Sequence, residues 1–226
     1  MIIIFMLLIL FGVVLLLKNE TYFNDYGYDA FTNNNNNNNN SRNVVLIGDS
    51  MLNNSNYVSQ GESVPDLLSK KLVGSATVYN FAKDGATIAD CYSQLDKTFV
   101  ELNSAKTTIF VSCGGNNILN SHQTEKMDVT NLFAEYSELI KSIKSRVPIA
   151  DLYVLNLYMP AGGHHTSYKA TIDQWNQLIN DNASILGYSV LKTDDLLVAE
   201  DDFVYGVEPS LKGGKKLASK LFDHTL

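Results

Sequence analysis

From Asn43 onward, short apolar runs alternate with segments whose apolar residues recur every three or four positions. The runs Val44 to Ile47, Thr77 to Phe81, Thr107 to Ser112, Asp151 to Tyr158 and Tyr188 to Lys192 read as strands, short and rich in β-branched and aromatic residues. Between Asn131 and Val147, the residues Leu132, Tyr136, Leu139, Ile140 and Ile143 keep helical spacing. Ile172, Trp175, Leu178 and Ile179 do the same. Trp175 and the tyrosines at helical spacing read as core or rim positions in preference to a sugar platform, though several could line a groove. Pro209-Ser210 is expected to open a last helix, with proline in the first turn. Strands alternating with helices imply an α/β fold: a three-layer sandwich, with a five-stranded parallel, flavodoxin-like sheet and helices on both faces.

The N-terminal part breaks this rhythm. Residues 1–17 carry no charged side chain and are nearly all Ile, Leu, Val, Phe or Met. That length is at the lower limit for a membrane-spanning helix. A basic leader and a small-residue cleavage pattern are both missing, so an uncleaved N-terminal anchor is favoured over a cleaved signal. Residues 18–42 are polar and include the tract Asn33 to Asn40, which cannot bury apolar area and reads as a disordered tether. Residues 43–226 then form the globular domain.

Composition narrows the function classes. A net charge of -7 with no Lys/Arg cluster argues against a nucleic-acid partner. The two cysteines, Cys91 and Cys113, lack metal-ligand spacing and are too few for a disulfide framework. No phosphate-binding glycine loop and no metal cluster is evident, so no cofactor is expected. Gly213-Gly214 falls inside the expected last helix.

In a parallel sheet all strand C-termini share one edge, where ligands bind. The first strand runs into Gly48-Asp49-Ser50 and the second into Asn80-Phe81-Ala82-Lys83-Asp84-Gly85. The third ends at Cys113-Gly114-Gly115-Asn116-Asn117, the fourth at Met159-Pro160-Ala161-Gly162-Gly163-His164-His165. The fifth leads to Tyr205-Gly206-Val207-Glu208-Pro209-Ser210. Gly-Asp-Ser, an isolated glycine, Gly-x-Asn and a Pro-Ser-x-x-Gly helix start, in that order, resemble the SGNH (GDSL-type) hydrolase family over about residues 43–222. The resemblance implies Ser50 as nucleophile. It also implies an oxyanion hole from the Ser50 and Gly85 N–H groups and the Asn116 side-chain amide. Preorganised donors of this kind are worth about 3 kcal/mol each.

Two departures stand out. Asn117 replaces the aspartate of the family's Gly-x-Asn-Asp motif. The family's Asp-x-x-His pair is replaced by Tyr205 and Glu208, so a conventional triad is missing. Glu208 occupies the histidine's place; near its ordinary pKa of about 4.3 it is a poor base, improved by desolvation. It also reads as a solvated charge at a helix N-terminus. His164 and His165 lie on the active edge and titrate in the useful range, but also read as exposed loop residues. His122 is a weaker candidate, and His224 lies about 20 Å along the last helix from its active-edge start. Asp201 and Asp202 could orient a histidine, although adjacent acids before a turn are usually solvated. Asn19, Asn39, Asn53 and Asn182 sit in glycosylation sequons, relevant only to a lumenal domain.

The resemblance implies a serine esterase acting on small acyl esters, an O-acetyl group on a glycan or a lipid ester. The alternative is a degenerate domain that keeps the cleft and binds a glycan or protein partner. The expected localisation is membrane-anchored, with the domain lumenal or extracellular, or secreted if the leader is removed.

Overall fold

The computed structural model describes residues 42–95, 97–121, 127–161 and 163–225; at 97, 98 and 163–165 it describes the backbone alone. The proposed anchor, the tether up to Ser41, and His122 lie outside the described residues. No helix among the described residues is long and apolar enough to cross a membrane.

Five parallel strands form the sheet: β1 (Arg42–Gly48), β2 (Ala76–Asn80), β3 (Thr107–Ser112), β4 (Asp151–Leu155) and β5 (Ser189–Leu191). Their spatial order is β2-β1-β3-β4-β5, the doubly wound arrangement expected from the alternating pattern. The central strands explain the apolar runs. Val44 to Ile47 of β1 are wholly buried, and so is every residue of β3. Strands covered on both faces have no polar face to show.

The helices are α1 (Val64–Lys71), α2 (Ile88–Ser93), α3 (Gly115–Ser121), α4 (Val129–Arg146), α5 (Lys169–Leu186) and α6 (Leu211–Phe222). Ser63 and Thr87 open α1 and α2 with capping boxes. α1 packs with α6, while α4 packs with α2 and α5. Leu132, Tyr136, Leu139, Ile140 and Ile143 of α4 are all buried, as their spacing requires. Trp175 is fully buried against Phe133 and Tyr136, so it belongs to the core.

Two boundaries differ from the sequence reading. β4 stops at Leu155 instead of continuing to Tyr158. Beyond it, the Asn176 side chain receives the Leu157 N–H at 2.8 Å and donates to its carbonyl at 2.7 Å, standing in for a neighbouring strand. Pro209 does not lie in the last helix. It pairs with Phe203 in a short antiparallel hairpin, β6 (Phe203–Val204) with β7 (Glu208–Pro209). Ser210 is the cap instead, accepting from the Lys212 and Gly213 N–H groups.

Cys91 on α2 and Cys113 just past β3 pair as a buried disulfide. It joins two segments that border the active edge. For a sequence separation of 22, loop-closure entropy assigns such a link about 3 kcal/mol. The double variant Cys91→Ala/Cys113→Ala is therefore expected to melt roughly 6–12 °C lower, as read by circular dichroism.

Candidate active site

The site begins where β1 and β3 end side by side. Gly48 pairs with Ser112, and its φ of 139° lies where side chains are disfavoured. A Cβ on Gly48 would collide with the Ser112 carbonyl oxygen. Only glycine lets the two strand ends close this tightly. Buried Gln94 then clamps both polar groups of Gly48, accepting its N–H at 2.8 Å and donating to its carbonyl at 3.0 Å. The chain therefore leaves β1 in one fixed direction.

Asp49 follows, almost wholly buried. Its Oδ1 accepts from the Ser112 hydroxyl at 2.9 Å and the Met51 N–H at 3.1 Å. Burial nevertheless raises its pKa to about 7, only partly offset by those two bonds, and the charge of Glu208 adds to the rise. Ser50 sits at the next position, in the floor of a pocket.

Three donor groups bear on the expected oxyanion hole, and Asn116 shares the Ser50 pocket. Neither the Ser50 nor the Gly85 N–H donates to a partner among the described residues. Gly85 has φ 77° and open space where a side chain would stand, so its backbone is accessible. Asn116, in the first turn of α3, donates one amide hydrogen to the Ala86 carbonyl at 3.0 Å. That bond ties it to the Gly85 turn and leaves its second amide hydrogen available. Asn117 keeps a structural task without a charge: its Oδ1 accepts from the Ile88 N–H at the start of α2, at 3.0 Å.

Glu208 reaches the site from the opposite wall, on β7. It lines the same pocket as Ser50 and Asn116. Its Oε2 is buried without a strict partner. Desolvation is the largest influence and holds the Glu208 pKa above the ordinary value; Ser50 and Tyr57 pull it down, and nearby Asp84 pushes it up. The solvated-charge reading of this residue is thus corrected, because the hairpin buries about half of it against the pocket.

That hairpin is anchored from three sides. Buried Asn54 donates to the Pro209 carbonyl at 3.0 Å and accepts from the Val64 N–H at 2.8 Å. Tyr158 donates to the Val207 carbonyl at 2.6 Å, and the Ala161 N–H to that of Gly206 at 2.7 Å. Its turn has positive φ at both central positions, 53° at Tyr205 and 75° at Gly206. Such turns prefer Asn-Gly, and a bulky residue in this conformation costs about 1–2 kcal/mol.

The pocket is otherwise apolar, walled by Met51, Ile118, Leu119, Leu157, Tyr158 and Ile172. His164 and His165 fall in the 3-10 helix Gly163–Tyr168, and their side chains lie outside what the structure describes. His224 stacks on Tyr153 of β4, with ring centroids 5.1 Å apart, away from the pocket. Asp201 is exposed and pairs with Lys212. Asp202, read as solvated, is fully buried: it accepts the Val198 and Ala199 N–H groups and pairs with Lys216 at 2.7 Å. It holds the hairpin approach. The Asn53 side chain is engaged within the site, donating to Asp84 at 2.9 Å and Ser55 at 3.0 Å. No metal-binding cluster occurs among the described residues.

Sequence reasoning missed Tyr57, Asn54, Gln94 and the pocket-facing role of Asp49. The first three act across 151, 155 and 46 positions of chain, as Tyr57 with Glu208, Asn54 with Pro209 and Gln94 with Gly48. Local pattern carries no signal for such pairings.

Residues 46–213 match the GDSL-like lipase/acylhydrolase family, and the chain belongs to that family. No curated protein matches it in sequence. Among solved structures, an acetylxylan esterase from Geobacillus stearothermophilus superposes with a TM-score of 0.63 at 15% identity, covering 81% of this chain and 94% of its own. A lipase/acylhydrolase from Enterococcus faecalis gives 0.62 at 17%, with coverage of 81% and 94%. A member of the lipolytic G-D-S-L family from Veillonella parvula gives 0.66 at 16%, with coverage of 80% and 96%. At these identities the likeness establishes the fold.

The raised Asp49 pKa has a consequence for stability. The folded chain holds this proton more tightly than the unfolded chain, so stability from this group is complete below about pH 4 and declines towards pH 7. Asp49→Asn keeps an acceptor for Ser112 and removes the titration. Its melting temperature is expected to gain on the wild type between pH 4 and 7, measured by differential scanning fluorimetry. A constant difference across that range would contradict the assignment.

Proposed function

We propose that the chain is a serine esterase in which Ser50 attacks small acyl esters and Glu208 serves as the base. The observation that carries this reading is that Ser50, the half-buried Glu208 and Asn116 line one pocket. Ser50 Oγ adds to the ester carbonyl while its proton passes to Glu208. The Ser50 and Gly85 N–H groups and the Asn116 amide receive the negative charge on the carbonyl oxygen. Collapse breaks the bond to the alcohol, which leaves with the proton from Glu208. Water then adds to the acyl-serine, giving its proton to Glu208, and the second collapse frees the carboxylic acid as Ser50 Oγ leaves with that proton from Glu208.

Desolvation makes Glu208 a stronger base than an exposed glutamate, which suits this task. The cavity's free volume is about 50 Å³, room for a few water molecules, which supports a short acyl group over a long one. The acetylxylan esterase among its structural relatives agrees with that preference. The Cys91–Cys113 disulfide supports an oxidising compartment, and with the apolar residues 1–17 it favours a membrane-anchored domain facing the lumen or exterior.

The full chain is expected to react with a fluorophosphonate probe at Ser50, located by mass spectrometry, and Ser50→Ala is expected to lose labelling and ester hydrolysis. A folded wild type that does not label would favour the alternative, a cleft that only binds. Glu208→Gln should lower kcat on p-nitrophenyl acetate about 100-fold or more, the usual scale for a general base. The wild-type rate should rise with pH through an inflection above the ordinary glutamate pKa, because the deprotonated form is the active one. Unchanged kcat in Glu208→Gln would move the base to His164 or His165, to be tested by substituting each with alanine.

A further inference from the structure

We propose that Tyr205 and Tyr57 form an aromatic platform for a neutral sugar, so that the alcohol half of the substrate is a glycan. This rests on the esterase reading of the Ser50 pocket. Tyr205 is 84% exposed, and so contributes little to the core. It holds a turn position where asparagine or glycine would be unstrained, at φ 53°. An exposed, strained aromatic ring beside a candidate catalytic group points to a function for the ring itself. Its neighbour is Tyr57, edge to face, with ring centroids 6.5 Å apart and planes at 73°.

Tyr57 connects two compartments. On one side it lies close enough to Glu208 for that carboxylate to push its phenol pKa up. On the other it walls an open groove with Asn56, Ser59, Glu62 and Leu211. Exposed aromatic faces beside an amide, a hydroxyl and a carboxylate match a pyranose, which has apolar C–H faces and a rim of hydroxyl groups. An acyl group in the pocket and a sugar over the tyrosines would place the ester oxygen beside Glu208, where the departing alcohol takes its proton. Glu62 in this groove and Glu208 in the apolar pocket disfavour an alcohol that carries phosphate.

The test uses the full chain and three unacylated trisaccharides: xylotriose, cellotriose and N-acetylchitotriose. At least one is expected to bind in isothermal titration calorimetry. Tyr205→Gly should weaken that binding fivefold or more while raising the melting temperature by roughly 2–4 °C, because glycine relieves the turn. Tyr205→Trp, which restores a ring, should bind within about twofold of wild type. Ile185→Ala, on the exposed face of α5, serves as the control for non-specific effects. Failure of all three sugars to bind, or binding by Tyr205→Gly as tight as wild type, would overturn the proposal. A groove that takes a neutral peptide and no trisaccharide would overturn it as well. Kinetics separates the two readings: an enzyme inert towards both p-nitrophenyl acetate and O-acetylated xylotriose fails as an esterase, while trisaccharide binding still decides the platform.

Discussion

The close approach of Gly48 to Ser112 is the constraint from which the rest of the site follows. β1 and β3 are the neighbours between which the strand order reverses, and a crevice opens beyond their C-terminal ends. With no side chain at position 48, the strand ends meet backbone to backbone, and the Asp49 N–H extends the ladder by one more bond to the Ser112 carbonyl. Gln94 fixes the Gly48 peptide from outside the sheet. Ser50 then emerges at a set place, in one pocket with the segment that follows β3. A larger residue at 48 would displace the whole edge.

Around that junction the chain concentrates carboxyl groups where the family motif has an imidazole. Asp49 and Glu208 line one pocket and both are pushed towards their neutral forms by burial. Two nearby carboxylates cannot both ionise cheaply in a poorly solvated site. Desolvation is the main cause at both groups, the Glu208 charge adds a smaller rise at Asp49, and the Ser112 and Met51 bonds hold Asp49 in place. For Glu208 desolvation outweighs the lowering influence of Ser50 and Tyr57.

The hairpin carrying Glu208 is short, and two paired residues on each side would not hold it alone. Its position comes from its neighbours: Asn54 beneath, Tyr158 and Ala161 beside, and the buried Asp202 at its base. Gly213 belongs to the same construction, since a Cβ there would strike the Asp202 carbonyl. Rigid support of this kind lets the turn tolerate Tyr205 in a conformation that the residue itself disfavours.

Much of this was legible in the sequence, for a physical reason. Periodicity reports burial, and burial in a doubly wound sheet is almost the whole pattern; hence the five strands, the α4 and α5 faces and the parallel sheet could be read from spacing alone. That Ser50, Gly85 and Asn116 lie in the segments just after β1, β2 and β3 was legible too, because chain direction in a parallel sheet brings every strand C-terminus to one edge. Contacts were not legible. The end of β4 depends on Asn176 replacing a strand, and the place of Pro209 depends on its pairing with Phe203. Whether Asp202 is solvated depends on Lys216, fourteen residues away. The sequence determined which residues face inward and which edge bears the chemistry, since both follow from local periodicity and chain direction. Only the tertiary structure decided what each polar group touches, because hydrogen-bond partners and desolvation come from segments distant in the chain.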